Sequence, residues 1–141
     1  MTIALDERLM HGGIPASLRG VLLDHPWELS KLLALDLPVE EVSVAALAWQ
    51  LDLPWWRRGD DWFFVTPNEV RSDPAASPEQ WARTMRADLD APIHVRMTER
   101  GPVVLDGVHR LLKAVVEGRS SLSARVLPDE HLPSVRKDLR G

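Results

Sequence analysis

The stretch VVLDGVHRLLKAVVEG, residues 103–118, decides the fold of this chain. Its first apolar residues predict a buried strand, and Asp106 and Gly107 predict the turn that ends it. Apolar residues then recur at helical spacing, which predicts an amphipathic helix from Val108 to Glu117. Gly118 fits the C′ position at which such helices end. The stretch therefore predicts a strand, a tight turn and a helix in direct succession.

The turn also has the chemistry of an anion site. A helix N-terminus exposes unpaired N–H groups and the positive end of the helix dipole. Gly107 permits a close ligand approach, and His109 and Arg110 can add charge-assisted donors, with Arg suited to phosphate. The alternative is structural: Asp106 is only an N-cap, His109 is a surface or core residue, and Arg110 pairs with a nearby carboxylate.

The sequence on both sides predicts the rest of a small mixed sheet. Residues 92–97 predict a strand, Glu99-Arg100-Gly101 predicts a hairpin turn, and residues 102–105 predict the partner strand. Residues 121–127 alternate as a last strand, and β-branched residues favour a strand over 39–44. A short strand is also predicted at 62–65.

Helices are predicted upstream by capping signatures. Thr66 and Ser77 each precede a proline and, three residues on, a Glu or Gln. The first of these helices stops before Pro74, and the second runs to about Leu89. An earlier short helix, with Pro26 at its first position, ends near residues 36–38.

Composition limits the function classes. The 141 residues, 45% hydrophobic, predict one domain over residues 21–128, with a flexible arm at 1–20 and a polar tail at 129–141. The absence of cysteine excludes thiol nucleophiles and thiolate metal sites. A net charge of -4 gives no general attraction to nucleic acid. No apolar run is long enough to span a membrane, and charges at residues 6–8 argue against export, so a cytoplasmic location is expected.

Four of the six tryptophans lie close together in the sequence. Trp49 and Trp62 are expected to be core residues, because aromatic side chains bury large areas. For Trp55 and Trp56 the sequence leaves two alternatives: core residues, or an exposed surface that binds a protein partner. The second alternative arises because charged residues follow them directly. An aromatic wall for a ligand is the further alternative.

The segment DGVHR, with the strand before it and the helix after it, resembles the ParB/sulfiredoxin superfamily. The similarity extends over about residues 39–128, with an insertion-like segment around the tryptophans. The resemblance implies a ParB/sulfiredoxin-like α/β (α+β) domain with a small mixed sheet and flanking helices. It also implies that Gly107, Val108, His109 and Arg110 bind nucleotide phosphates.

The activities of this superfamily differ in what they require. Sulfiredoxins need a cysteine where this chain has Val108, so their chemistry is excluded. Partition proteins continue into a DNA-binding region, and only about thirteen residues follow Pro128 here. The free serine kinase branch carries Asp-Gly-His-His-Arg, from which DGVHR departs at one residue. That match implies catalytic roles for Asp106 and His109, and a nucleoside di- or triphosphate with Mg²⁺ as cofactor.

The sequence thus predicts a nucleotide- or phosphate-binding domain, with phosphoryl transfer to a small molecule as its activity if it is an enzyme. The alternative is a non-catalytic module that binds a ligand or a protein through the Trp-rich loop. A kinase needs a further acidic residue, for which Glu40, Glu41 and Asp52 are candidates. His94 either lines a pocket beside Asp106 or is exposed, and no metal site is predicted.

Overall fold

The structure is a computed structural model that describes residues 15–23 and 27–137. Within these residues, it forms a small mixed α/β domain. The helices are α1 (Leu29–Leu33), α2 (Val44–Leu47), α3 (Pro67–Ser72), α4 (Pro78–Arg86), α5 (Val108–Val116) and α6 (Leu132–Val135). The strands are β1 (Val39–Ser43), β2 (Trp56–Arg58), β3 (Asp61–Val65), β4 (Ile93–Thr98), β5 (Gly101–Asp106) and β6 (Ser121–Val126).

Four strands form one sheet in the order β1-β6-β4-β5, and β2 and β3 form a separate hairpin. Strand β4 is antiparallel to β5 and parallel to β6, and β1 is antiparallel to β6. The predicted small mixed sheet with flanking helices is therefore present. The predicted strands at 39–44, 62–65, 92–97, 102–105 and 121–127 are all confirmed to within about two residues.

The outer strand β5 is covered by a side chain instead of another strand. Gln50 is fully buried, and its Nε2 donates to the carbonyl of Pro102 at 3.0 Å while its Oε1 accepts from the N–H of Val104 at 2.9 Å. One amide side chain thus satisfies two backbone groups at the edge of the sheet, which would otherwise be buried without partners.

Helix α5 packs on the sheet through the apolar face that its sequence predicts. Leu111, Leu112 and Ala114 are fully buried. Its C-terminus has the predicted glycine: the N–H of Arg119 bonds the carbonyl of Ala114, and Gly118 has a φ of +75°. This is the Schellman arrangement, in which a left-handed residue ends the helix.

The two predicted helix caps behave differently. Thr66 Oγ1 accepts from the N–H of Glu69 at 3.0 Å, so the predicted cap of α3 is confirmed. Ser77 makes no cap hydrogen bond to α4. Its hydroxyl accepts instead from Nε and Nη2 of Arg58, at 3.2 and 3.0 Å. The serine therefore ties α4 to the β2–β3 hairpin, a partner that its local sequence does not indicate.

The positions of the tryptophans differ from the prediction that Trp49 and Trp62 are core residues. Trp49 and Trp62, expected in the core, are only partly buried and lie under the guanidinium groups of Arg100 and Arg57. Trp56 is buried instead, with 7% of its surface exposed. The reason is strand β2, which the sequence does not predict and which turns this side chain into the core.

The described residues near both termini pack against the rest of the domain. Leu18 is fully buried, and residues 1–14 of the expected arm lie outside the described residues. After Pro128 the chain forms a 3₁₀ turn and α6, and Val135 is fully buried beside Leu32 and Leu127. Among the described residues, no helix has the length and apolar character needed to cross a membrane.

Candidate functional site

Three charged or titratable side chains lie in a row across neighbouring strands. His94 on β4 is paired in register with Asp106 on β5 and with Arg125 on β6. An irregularity in the β4–β5 pairing, between His94 and Val95, places Asp106 opposite the histidine. Bulges of this kind often re-aim side chains beside functional sites. The fold therefore gathers Asp106, His94 and Arg125 from three strands at one level of the sheet.

Gly107 fixes the position of the helix that follows this row. Its φ is +120°, and a Cβ at this residue would lie 2.5 Å from Cγ2 and 2.8 Å from Cβ of Ile93. The glycine thus allows the close approach of β4 and the start of α5. The close approach of a ligand at Gly107 stays a prediction. Gly107 is also the N-cap residue, so Asp106 is not the helix cap.

Arg110 returns from the first turn of α5 towards the same row. Its Nη1 donates to the carbonyl of Pro92 at 2.9 Å and lies 3.9 Å from Oδ2 of Asp106. Arg125 is held in a similar way, because its Nη1 donates to the carbonyl of Leu37. A guanidinium has five N–H donors, so each arginine is positioned by the backbone while keeping donors for another partner.

A cleft of about 370 Å³ opens above the row. Clefts that hold small ligands commonly have volumes of about 300–1,000 Å³. Two cationic and two acidic side chains line it together with His94, and the rest of the lining is apolar or backbone. The lining residues are Leu33, Ala34, Leu35, Asp36, Ala91, Pro92, His94, Asp106, Arg110 and Arg125.

His94 is the unusual group in the cleft. Only 4% of its surface is exposed, and neither ring nitrogen has a hydrogen-bond partner among the described residues. Nδ1 lies 3.8 Å from Oδ2 of Asp106. Burial lowers the pKa of His94; Asp106 opposes this effect, and Arg125 and Arg110 reinforce it. The imidazole is therefore neutral at pH 7 and has hydrogen-bonding capacity that no described residue uses.

His109 does not line this cleft. Its ring stacks on Trp56, with centroids 4.3 Å apart, and its Nε2 lies 2.8 Å from Oε1 of Gln80. Because Nε2 of Gln80 donates to the carbonyl of Arg57, Oε1 is the acceptor, so Nε2 of His109 carries the proton. Burial, with Arg83 and Arg110, lowers the pKa of His109 to about 3.

The predicted site residues are thus separated by the fold. Asp106 and Arg110 lie in the cleft, whereas His109 is a neutral packing residue and Val108 is buried in the core. His94 lines the pocket beside Asp106, which is one of its two predicted alternatives. Sequence analysis missed Arg125 and Asp36. Arg125 follows the buried Ala124 on β6, but only the order of the strands reveals that it neighbours His94.

The acidic candidates for catalysis lie elsewhere. Glu40 and Glu41 are on β1, which is separated from β5 by two strands, or about 14 Å. The carboxylate of Glu41 accepts from the hydroxyls of Ser121 and Ser123, and Asp52 accepts from Asn68. None of the three lines the cleft. No group of three or more His, Asp or Glu side chains in the described ranges could hold a metal ion.

A second cavity, of about 200 Å³, lies beside the same strand–helix junction. Its lining is almost entirely apolar and includes three tryptophans. Trp55 is partly buried there, and its Nε1 donates to the carbonyl of Gln50 at 2.7 Å. The lining residues are Leu22, Leu23, Trp27, Trp55, Trp62, Phe63, Leu105 and Val108. With Trp56 buried and Trp55 partly buried, a protein partner at this pair stays a prediction.

Comparison with family models, with curated proteins and with solved structures gave no match.

Proposed function

We propose that this chain is a nucleotide- or phosphate-binding domain whose ligand places its anionic group in the cleft, against Arg110 and Arg125. The observation that carries the proposal is the cleft itself. Two arginines, each held by a backbone carbonyl, flank a buried histidine that has no partner among the described residues. Arginine is the side chain best suited to phosphate and carboxylate groups, because its planar donors bind two oxygens at once.

The motif supports the same proposal independently of the cleft. DGVHR resembles the phosphate-binding element of the ParB/sulfiredoxin superfamily, and Asp106 and Arg110 from this element both line the cleft. The role of His109 differs from the implied one, since a neutral, stacked imidazole adds no charge to a phosphate site.

Binding without catalysis is favoured over phosphoryl transfer by the position of the acidic residues. Glu40, Glu41 and Asp52 do not reach the cleft. One observation still favours phosphoryl transfer as the second candidate: Asp36 lines the cleft together with Asp106. Two carboxylates and the phosphates of a nucleotide form the oxygen-rich set that Mg²⁺ prefers. Mg²⁺ would then neutralise charge during the transfer.

A thermal-shift screen tests the proposal with inorganic phosphate and nucleoside di- and triphosphates, each with and without Mg²⁺. A ligand at a hundredfold excess over its dissociation constant stabilises the folded state by about 2.7 kcal/mol. For a chain of this size that raises the melting temperature by roughly 5–10 °C. Arg110→Ala and Arg125→Ala each remove charge-assisted hydrogen bonds and should weaken binding by about 10- to 100-fold.

Arg119→Ala is the matched control. Arg119 lies beyond the C-terminal end of α5, exposed beside Glu117, and should leave the shift unchanged. Equal shifts in Arg110→Ala and Arg119→Ala, or no shift with any of these anions, would refute the phosphate site. If Mg²⁺ strengthens nucleotide binding and Asp36→Asn removes only that gain, phosphoryl transfer becomes the preferred function.

A further inference from the structure

The cleft contains hydrogen-bond acceptors as well as cations. Asp36 and Asp106 line the cleft together with Arg110 and Arg125, so the side-chain charges of the lining balance. A bare anion would engage only the arginines. The acceptors would remain beside it, and two carboxylates close to an added negative charge are unfavourable unless the ligand also brings donors.

His94 gives a second reason to expect a hydrogen-bond donor on the ligand. Both of its ring nitrogens are buried and unpartnered among the described residues, and its side chain lines the cleft. Oδ2 of Asp106 is 3.8 Å from Nδ1 and favours the tautomer with the proton on Nδ1. The neutral ring then offers the lone pair of Nε2. A buried acceptor without a donor costs free energy, and a ligand that supplies the donor recovers that cost.

We propose that the ligand is a small anion with a hydroxyl group near its anionic group, and that His94 accepts a hydrogen bond from this hydroxyl. The inference rests on the proposed function, since the anionic group is the part held by Arg110 and Arg125. It adds the substrate class: a hydroxylated phosphate or acid, such as a phosphorylated polyol or the ribose and phosphate of a nucleotide. His94 is the residue that distinguishes the hydroxylated ligand from a deoxy analogue.

Two probes of equal charge and similar size test this selectivity: sn-glycerol 3-phosphate and n-propyl phosphate, which lacks both hydroxyl groups. Binding is measured by NMR titration of ¹⁵N-labelled full-length chain, with inorganic phosphate as the simple anion. In the wild-type chain, the hydroxylated probe should bind at least about fivefold more tightly than n-propyl phosphate, because a site built for a hydroxyl rejects the analogue without it.

Two variants separate recognition from a structural role. His94→Phe keeps a ring and removes both nitrogens, so the ratio of the two affinities should fall to about one while n-propyl phosphate still binds. This variant should also melt at a higher temperature than the wild type, because it removes unpartnered polar atoms from a buried position. His94→Gln restores an acceptor and should recover part of the preference.

The outcomes are distinguishable from those of the phosphate-site test. If inorganic phosphate and both probes bind but glycerol 3-phosphate has no advantage, the hydroxyl inference is overturned and the anion site stands. The same conclusion follows if the preference survives in His94→Phe. If none of the three probes binds, the hydroxyl inference is overturned, and the proposed function fails with it only if the nucleotides of the thermal-shift screen give no shift either.

Discussion

Replacing Gly107 with alanine tests the contact that aligns the cleft. This residue is the one at which β5 ends and α5 begins, so it sets the position of Arg110 relative to β4. The added Cβ would lie 2.5 Å from Cγ2 and 2.8 Å from Cβ of Ile93, which is itself fully buried. Rotating the Ile93 side chain can move Cγ2 but not Cβ, so the backbone of β4 or α5 must shift.

The expected cost has two parts. A non-glycine residue at a φ of +120° costs about 1–3 kcal/mol in backbone strain. Forcing a methyl group into the packed contact with Ile93 costs a further 1–3 kcal/mol or so. Gly107→Ala should therefore lower the free energy of unfolding by about 2–6 kcal/mol. At a urea dependence of about 2 kcal/mol per molar, the unfolding midpoint would fall by about 1–3 M.

Urea unfolding followed by tryptophan fluorescence measures this change, and Gly118→Ala is the matched control. Gly118 also has a positive φ, +75°, but a Cβ there would meet nothing within 4 Å. In Gly118→Ala the free energy of unfolding should fall only by the conformational part of the cost, about 1 kcal/mol. If Gly107→Ala is no less stable than Gly118→Ala, the packing of Gly107 against Ile93 does not position the helix.

Two further predictions concern stability. Lowering the pH from 7 to 4 should reduce the free energy of unfolding, because the unfolded chain binds a proton at His109 near pH 6.5 and the folded chain only near pH 3. In that window, His109 changes the free energy of unfolding by up to about 1.4 kcal/mol per pH unit. Urea unfolding of His109→Gln should therefore show a shallower dependence of this free energy on pH. An unchanged dependence would contradict the buried, neutral ring. Gln50→Leu leaves the N–H of Val104 and the carbonyl of Pro102 without their partner, and should cost about 2–5 kcal/mol. Hydrogen exchange at the Val104 amide should accelerate relative to that of Val95 on the neighbouring strand, and equal protection of both would show that Gln50 does not cover the edge.

The elements that sequence analysis predicted are those whose signals are local. Helix α5 has an apolar stripe, a glycine before it and a glycine after it, and all of these lie within sixteen residues. Strand β2 carries no such signal, because adjacent tryptophans and arginines do not alternate, and its pairing partner lies across the hairpin. The cap at Ser77 was mispredicted for a related reason: a distant arginine competes for its hydroxyl.

The residues of the candidate site also fall into those with a local sequence signal and those that depend on distant parts of the chain. Asp106, Gly107 and Arg110 could be found because the turn that contains them is continuous in sequence. His109 belongs to the same turn, but a helix directs neighbouring residues about 100° apart, so the side chain beside Arg110 packs against Trp56 instead of the cleft.

Asp36 and Arg125 become part of the site only through strand order and the return of the chain after α1. In the sequence they lie 70 residues before and 19 residues after Asp106, with nothing in the spacing to connect them. The sequence therefore predicts one arginine and one carboxylate of the cleft, Arg110 and Asp106, whereas the structure adds a second arginine and a second carboxylate. The two carboxylates, with the buried acceptor of His94, argue for a ligand that donates hydrogen bonds as well as carrying negative charge. A site predicted from the motif alone would accept any phosphate, and the folded site has reason to discriminate among them.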